Sequence, residues 1–274
     1  MPSTHRAARG LSLRAAPLVV LLLAGDAFAR AHVRRQFEPT DLELEEPGTT
    51  ELDLEIGCVR SQDPWRAVAP DFELDLGLTP WLELDLDGAY AIEGAPGKPF
   101  SFDHAAPDPL WPSLKVGIVD LVDEAASRTY AVGAQLGPKL PTFPGGHGLG
   151  VEGLLLGGVS LGATQFALNL GGFVDPAPAL GSPRPIGVES GITWDQDLDA
   201  AGHYSLSTDL SGVVFASHDP AQLQAAFGPV VEATSWLDLS LTGLFGFLPG
   251  SDRYGVLFGF SPHFGVWRRE SPKD

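Results

Sequence analysis

The sequence predicts an all-β fold, an antiparallel up-and-down transmembrane β-barrel of about 12 strands. Three observations carry that expectation. The first is a two-residue beat that begins at Glu51-Leu52-Asp53-Leu54-Glu55-Ile56 and returns in Phe72-Glu73-Leu74-Asp75-Leu76 and Leu82-Glu83-Leu84-Asp85-Leu86. Side chains alternate sides along a strand, so each segment has one apolar face and one carboxylate face, and a carboxylate face cannot be a dry core. The second is length: the alternating stretches run to about 9–13 residues, which a tilted membrane strand requires, whereas soluble strands are typically about 5–6. The third is the rhythm of the connections, short turns alternating with longer loops.

Residues 1–31 read as a cleaved secretory leader. Arg6, Arg9 and Arg14 form a basic start, Ala15 to Ala24 a short apolar stretch, and Ala27-Phe28-Ala29 and Ala29-Arg30-Ala31 fit a small-x-small cleavage pattern. The apolar stretch falls short of the roughly 20 residues of a membrane helix. Cleavage after Ala31 removes four arginines and one aspartate, taking the formal charge from −18 to −21. Such a surface argues against a nucleic-acid partner, because phosphate binding needs basic patches. Cys58 is the only cysteine, so no intrachain disulfide forms. Residues 32–50, polar and acidic with Pro39 and Pro47, are an irregular lead-in expected to hang in the periplasm.

Residues 51–267 supply the barrel. The first strand is Glu51–Arg60, with Leu52, Leu54, Ile56 and Cys58 on one face. The second, Ala67–Leu78, shows Phe72, Leu74, Leu76 and Leu78, and the third, Trp81–Glu93, shows Leu82, Leu84, Leu86, Tyr90 and Ile92. The fourth, Ser113–Val122, carries Leu114, Val116 and Ile118; the fifth, Arg128–Leu140, carries Tyr130, Val132, Ala134 and Leu136. The sixth, Leu149–Leu156, is poorly patterned. The seventh, Thr164–Phe173, shows Phe166, Leu168 and Leu170, and the eighth, Ile186–Asp195, shows Ile186, Val188, Ile192 and Trp194. The ninth, His203–Phe215, the tenth, Gln222–Glu232, the eleventh, Leu237–Leu248, and the twelfth, Arg253–Trp267, repeat the pattern.

Links at Thr79-Pro80, Asp123–Ser127, Gly157–Gly162, Gln196–Gly202 and Thr234-Ser235 are short; Gly94–Pro112, Pro141–Gly148 and Asp175–Pro185 are longer and rich in proline and glycine. An even strand count puts both chain ends on the short-turn, periplasmic side. Trp81, Tyr130, Trp194, Tyr204, Trp236, Tyr254 and Trp267 fall at strand ends, as interface aromatics do. The run Leu78-Thr79-Pro80-Trp81-Leu82-Glu83 is echoed by Ala233-Thr234-Ser235-Trp236-Leu237-Asp238, through common turn constraints or through duplication. Residues 268–274 are a polar tail.

The segments Phe37-Glu38-Pro39-Thr40-Asp41-Leu42-Glu43-Leu44-Glu45-Glu46-Pro47-Gly48, Gln135-Leu136-Gly137-Pro138-Lys139-Leu140-Pro141 and Asp252-Arg253-Tyr254-Gly255-Val256-Leu257 give the mature chain a family look. It resembles the uncharacterised bacterial outer-membrane β-barrel proteins of the transporter and phenol-degradation meta-pathway type. The resemblance implies a barrel in the outer membrane of a Gram-negative-type bacterium and small-molecule passage. It supplies no catalytic residues.

With leucines addressed to lipid, the other face of each strand lines a lumen. Asp53, Glu55, Glu73, Asp75, Glu83, Asp85, Asp87 and Glu93 are expected inward from the first three strands, joined by Glu189, Asp209 and Asp238; the inward bases are Lys115, Lys139 and Arg253. Carboxylates along a pore favour cations, although lumen polarity is also the generic state of such barrels. The expected function is a narrow passive channel or small-molecule transporter, with lipid as its surroundings and small solutes as its traffic. The alternatives are a structural or ligand-binding barrel without conductance, and a soluble secreted β-protein. Catalysis is not expected. His104, His147 and His218 lie in predicted outer loops with Asp103, Asp108 and Asp219 nearby, but no nucleophile–base spacing or tight metal spacing appears, so no cofactor and no metal is assigned.

Overall fold

The structure, a computed structural model, describes residues 44–61, 65–93, 104–123, 126–142, 145–217 and 219–267. The leader, residues 32–43 of the lead-in, and the tail at 268–274 lie outside the described residues. In chain order the strands are β1 (Thr49–Arg60), β2 (Trp65–Thr79), β3 (Leu82–Glu93), β4 (His104–Pro107), β5 (Trp111–Asp123), β6 (Arg128–Lys139) and β7 (Gly150–Leu161). They continue with β8 (Thr164–Val174), β9 (Ile186–Asp197), β10 (Tyr204–Phe215), β11 (Gln222–Thr234), β12 (Leu237–Gly246) and β13 (Tyr254–Gly265).

Neighbours pair antiparallel around the sheet, and β1 pairs with both β2 and β13, which closes it. The wall is a closed barrel of twelve strands, and β4 is a short extra piece beside β3. Closure removes the free edges whose unpaired backbone groups hydrocarbon cannot satisfy.

The strands depart from the sequence reading at two places. The stretch Gly94–Pro112, expected to be loop, holds β4 and the start of β5. The turn-side half of β3, Leu82–Asp87, pairs with β5, so the loop-side half needs another partner, and β4 supplies it from Tyr90↔Pro107 to Glu93↔His104. Likewise β7 runs to Leu161 through the predicted link Gly157–Gly162, paired along its whole length with β6 and β8. Its pattern was weak because leucine occupies both faces: Leu154 and Leu156 are buried, while Leu155 between them is 63% exposed.

The outer surface is apolar around the barrel. Leu136, Leu155, Leu168, Leu170, Ile192, Val214, Leu241 and Val256 are exposed there, and the residues between them are buried. The seven expected interface aromatics are all on this exposed face. Trp81, Tyr130, Trp194, Tyr204, Trp236 and Trp267 gather at the short-turn end, whereas Tyr254 begins β13 at the loop end, edge-on to Trp65 with ring centroids 5.7 Å apart. The Trp81 and Trp236 turns are built alike: the backbone N–H of each tryptophan donates to the hydroxyl of the threonine two residues earlier, both at 3.3 Å.

Candidate functional site

The inward face is polar and mostly buried, because a barrel of this size lies between the side-chain-filled eight-stranded form and the open sixteen-stranded one. Asp53 and Glu55 on β1, Glu73 on β2, and Glu83, Asp85 and Asp87 on β3 are all buried on that face, with Asp75 on β2 half-buried. The ladder brings them side by side: Asp53 faces Glu73, Glu73 faces Asp87, and Asp75 faces Asp85. Oxygens of Asp53, Glu73 and Asp75 lie within 4.8 Å of one another, as do those of Asp75, Glu83 and Asp85. Glu189 on β9 and Asp209 on β10 are buried on the far wall, and Asp238 is buried on β12, two strands from β1. The side chain of Glu93 lies outside the described residues.

Lys115 on β5 is buried against this acidic wall, its Nζ 3.1 Å from Glu83 Oε1. One turn of the ladder higher, Asp85 Oδ2 accepts hydrogen bonds from Gln135 Nε2 (2.7 Å) and Ser113 Oγ (3.3 Å). Toward the loop end, Lys139 bridges Glu152 (2.8 Å) and Asp175 (3.2 Å).

Arg253 departs from expectation. It precedes β13 in the loop and is exposed, so the strand parity that assigned it inward does not apply to it. A second buried base at that end, in addition to Lys139, is Arg66, which pairs with Asp252. Sequence parity missed Arg66 because β2 is bulged between Val68 and Asp71: Arg66 and Val68 point inward before it, Asp71 and Glu73 after it. Pro70, inside an otherwise regular strand, was the available sign of that bulge.

The lumen is not uniformly wet. Trp111, Leu154 and Leu156 form one buried apolar cluster, and Phe173, Val213 and Phe215 another, the Phe173 and Phe215 rings meeting edge to face at 5.8 Å. These clusters, with the Arg66–Asp252 and Lys139–Glu152–Asp175 ion pairs, occupy the middle and loop side. At the turn end a cavity of about 1590 Å³ opens, lined among others by Glu51, Asp53, Asp75, Glu83, Lys115 and His263.

The described part of the lead-in lies in this mouth rather than hanging below it. The Glu45 N–H donates to Glu83 Oε2, and the Gly48 N–H donates to the Gly77 carbonyl at 2.8 Å. Gly77 permits the approach: a Cβ there would stand 2.3 Å from the carbonyl oxygens of both Glu45 and Glu46. Leu44 reaches Gly117 on β5. The contact with the acidic wall is made by the lead-in's backbone N–H, a donor that the Glu83 carboxylate accepts.

Of the loop residues considered for chemistry, Asp103 and His218 lie outside the described residues, as does the side chain of His104. His147 is exposed, with its backbone bridged to Ala177; Asp108 is buried, and Asp219 accepts from the Ser217 hydroxyl.

No family model and no curated protein matches the chain. Among solved structures, the barrel is similar to the COG4313 outer membrane channel from Pseudomonas putida F1, with a TM-score of 0.60 and 11% identity, covering 84% of this chain and all of that one (100%). It is also similar to the NanC porin, with a TM-score of 0.53 and 8% identity, covering 78% of this chain and 98% of that one. At such identities the likeness is one of fold: a closed antiparallel barrel of the outer-membrane type.

Proposed function

We propose that this chain is a narrow passive channel of the bacterial outer membrane whose lumen favours small cations. The observation that carries the reading is the acidic wall. Eight carboxylates, from Asp53 to Asp87 and including Asp71, stand on the inward faces of three neighbouring strands, against two buried bases, Lys115 beside Glu83 and Arg66 on β2. A surplus of fixed negative charge between low-dielectric walls raises the local concentration of cations and repels anions. The open turn-end cavity supports passage; the filled loop half sets the narrowness.

Planar-bilayer recording tests this. A conducting barrel in a salt gradient should show a reversal potential on the cation-selective side, and Glu83→Gln with Asp85→Asn should move it toward zero. An unchanged reversal potential would remove the lumen-charge reading, and absence of current would remove the channel. One observation favours a barrel without conductance: the Arg66–Asp252 and Lys139–Glu152–Asp175 ion pairs and the Phe173–Phe215 cluster fill the loop side. Silent bilayers with a heat-modifiable, folded barrel would select that reading.

A further inference from the structure

We propose that Glu51, Asp238 and His263 form a metal-ion site at the turn end of the barrel, for a divalent cation of the zinc type. The three residues come from β1, β12 and β13, adjacent strands in the closed sheet. In the β1–β13 ladder Glu51 lies opposite His263. In the β12–β13 ladder Asp238 lies opposite Ser261, two residues before His263 and so on the same face. That face is the inward one, shared with buried Asp53 and Ser261. One donor atom from each of the three lies within 4.8 Å of the other two.

A second observation concerns the ring. His263 Nε2 donates to the Ser235 carbonyl at 3.0 Å. A carbonyl can only accept, so Nε2 carries the proton and Nδ1 is the ring's lone-pair nitrogen in the neutral form. Histidine held by a backbone carbonyl through one nitrogen and offering the other is the outer-shell arrangement of metal-ligating histidines. Glu51 and His263 line the turn-end cavity, so an ion reaches them from water.

The donor set selects the cation class. One imidazole nitrogen and two carboxylate oxygens suit zinc or a neighbouring first-row ion; calcium and magnesium take all-oxygen shells, and copper(I) prefers sulfur. The two all-carboxylate triads on β1–β3 lack the nitrogen, and Lys115 pairs with Glu83 in one of them. An ion at Glu51–Asp238–His263 would tie the first strand to the last two, across the seam where the sheet closes. It would also place positive charge at the mouth of an acidic lumen. The site does not depend on the conduction reading.

Calorimetric titration of the detergent-solubilised, folded full chain with zinc chloride tests the proposal. One ion should bind per chain. His263→Ala and the near-isosteric Asp238→Asn and Glu51→Gln should each weaken binding by at least about tenfold, whereas Asp219→Asn in the outer loop should leave it unchanged. Cobalt(II) should give a visible absorption band that the three variants lose. Should His263→Ala fail the heat-modifiable folding check, the two isosteric variants decide. No binding by the wild type, the result expected if the triad is an imidazolium paired with two carboxylates, overturns the proposal. So does binding that all three variants retain.

Discussion

Leu155→Arg distinguishes a lipid-facing surface from a wet one with opposite expectations. Leu155 is 63% exposed, between buried Leu154 and Leu156 on β7. It stands five residues from Gly150 and six from Leu161. At about 3.4 Å per residue and a tilt of roughly 40°, that is about 13 Å and 16 Å from the two strand ends, close to the middle of a band about 25 Å tall. Were that surface in water, an arginine at so exposed a position would change stability by no more than about 0.5 kcal/mol. In hydrocarbon it costs about 2–4 kcal/mol, a factor of roughly 30 to 700 in the folded fraction at about 1.4 kcal/mol per decade. The same substitution at Leu161, beside the turn, should cost only about 0–1 kcal/mol. Urea-dependent folding into phospholipid vesicles, followed by tryptophan fluorescence, measures both. Equal and negligible effects at the two positions would refute the membrane-spanning reading of this face.

Three other perturbations test separate parts of the molecule. Gly77→Val places a branched side chain where the Glu45 and Glu46 carbonyls pass; it should displace the lead-in from the mouth and raise single-channel conductance, while heat-modifiable migration is kept. Asp252→Ala removes the buried partner of Arg66 and should destabilise the barrel by about 3–5 kcal/mol, read as a lower urea midpoint in vesicles. Asp199, in the turn after β9, accepts hydrogen bonds from the Tyr204 N–H (2.9 Å) and the Ala201 N–H (3.3 Å), with His203 alongside; together they hold its carboxyl below the ordinary aspartate value. A lowered folded value means that its contribution to turn order is present above the unfolded value of about 3.9 and is lost as pH falls through the folded one. A carbon-detected NMR titration should therefore find its midpoint below that of an unstructured aspartate, and a midpoint at or above it would remove the turn's hydrogen-bond account.

The β1–β3 region was the most legible part of the sequence. Leucine against carboxylate at every second residue leaves one strand register that keeps charge out of hydrocarbon, so the faces of Leu84 and Asp85 follow from local pattern alone. Where both faces are apolar the pattern goes silent, as at Leu154, Leu155 and Leu156. Parity also fails wherever the ladder is interrupted: the bulge before Asp71 hid Arg66, and Arg253 stands just before β13 rather than in it. The Thr79–Trp81 and Thr234–Trp236 echo was legible as sequence, and the structure supplies a physical basis in a shared threonine–tryptophan turn hydrogen bond. It leaves the question of duplication open.

By itself, then, the sequence determined the strand type, the two-solvent character of most strands and the closed antiparallel architecture, because these depend on periods of two residues and on the lengths of turns and strands. Tertiary structure alone decided which distant residues meet. Arg66 finds Asp252 across 186 positions, Glu51 faces His263 only because the first and last strands pair, and Leu44 to Gly48 turn into the mouth only because Gly77 leaves room. Such contacts are set by how the sheet closes and where its bulges fall. No alternation within a single strand encodes either.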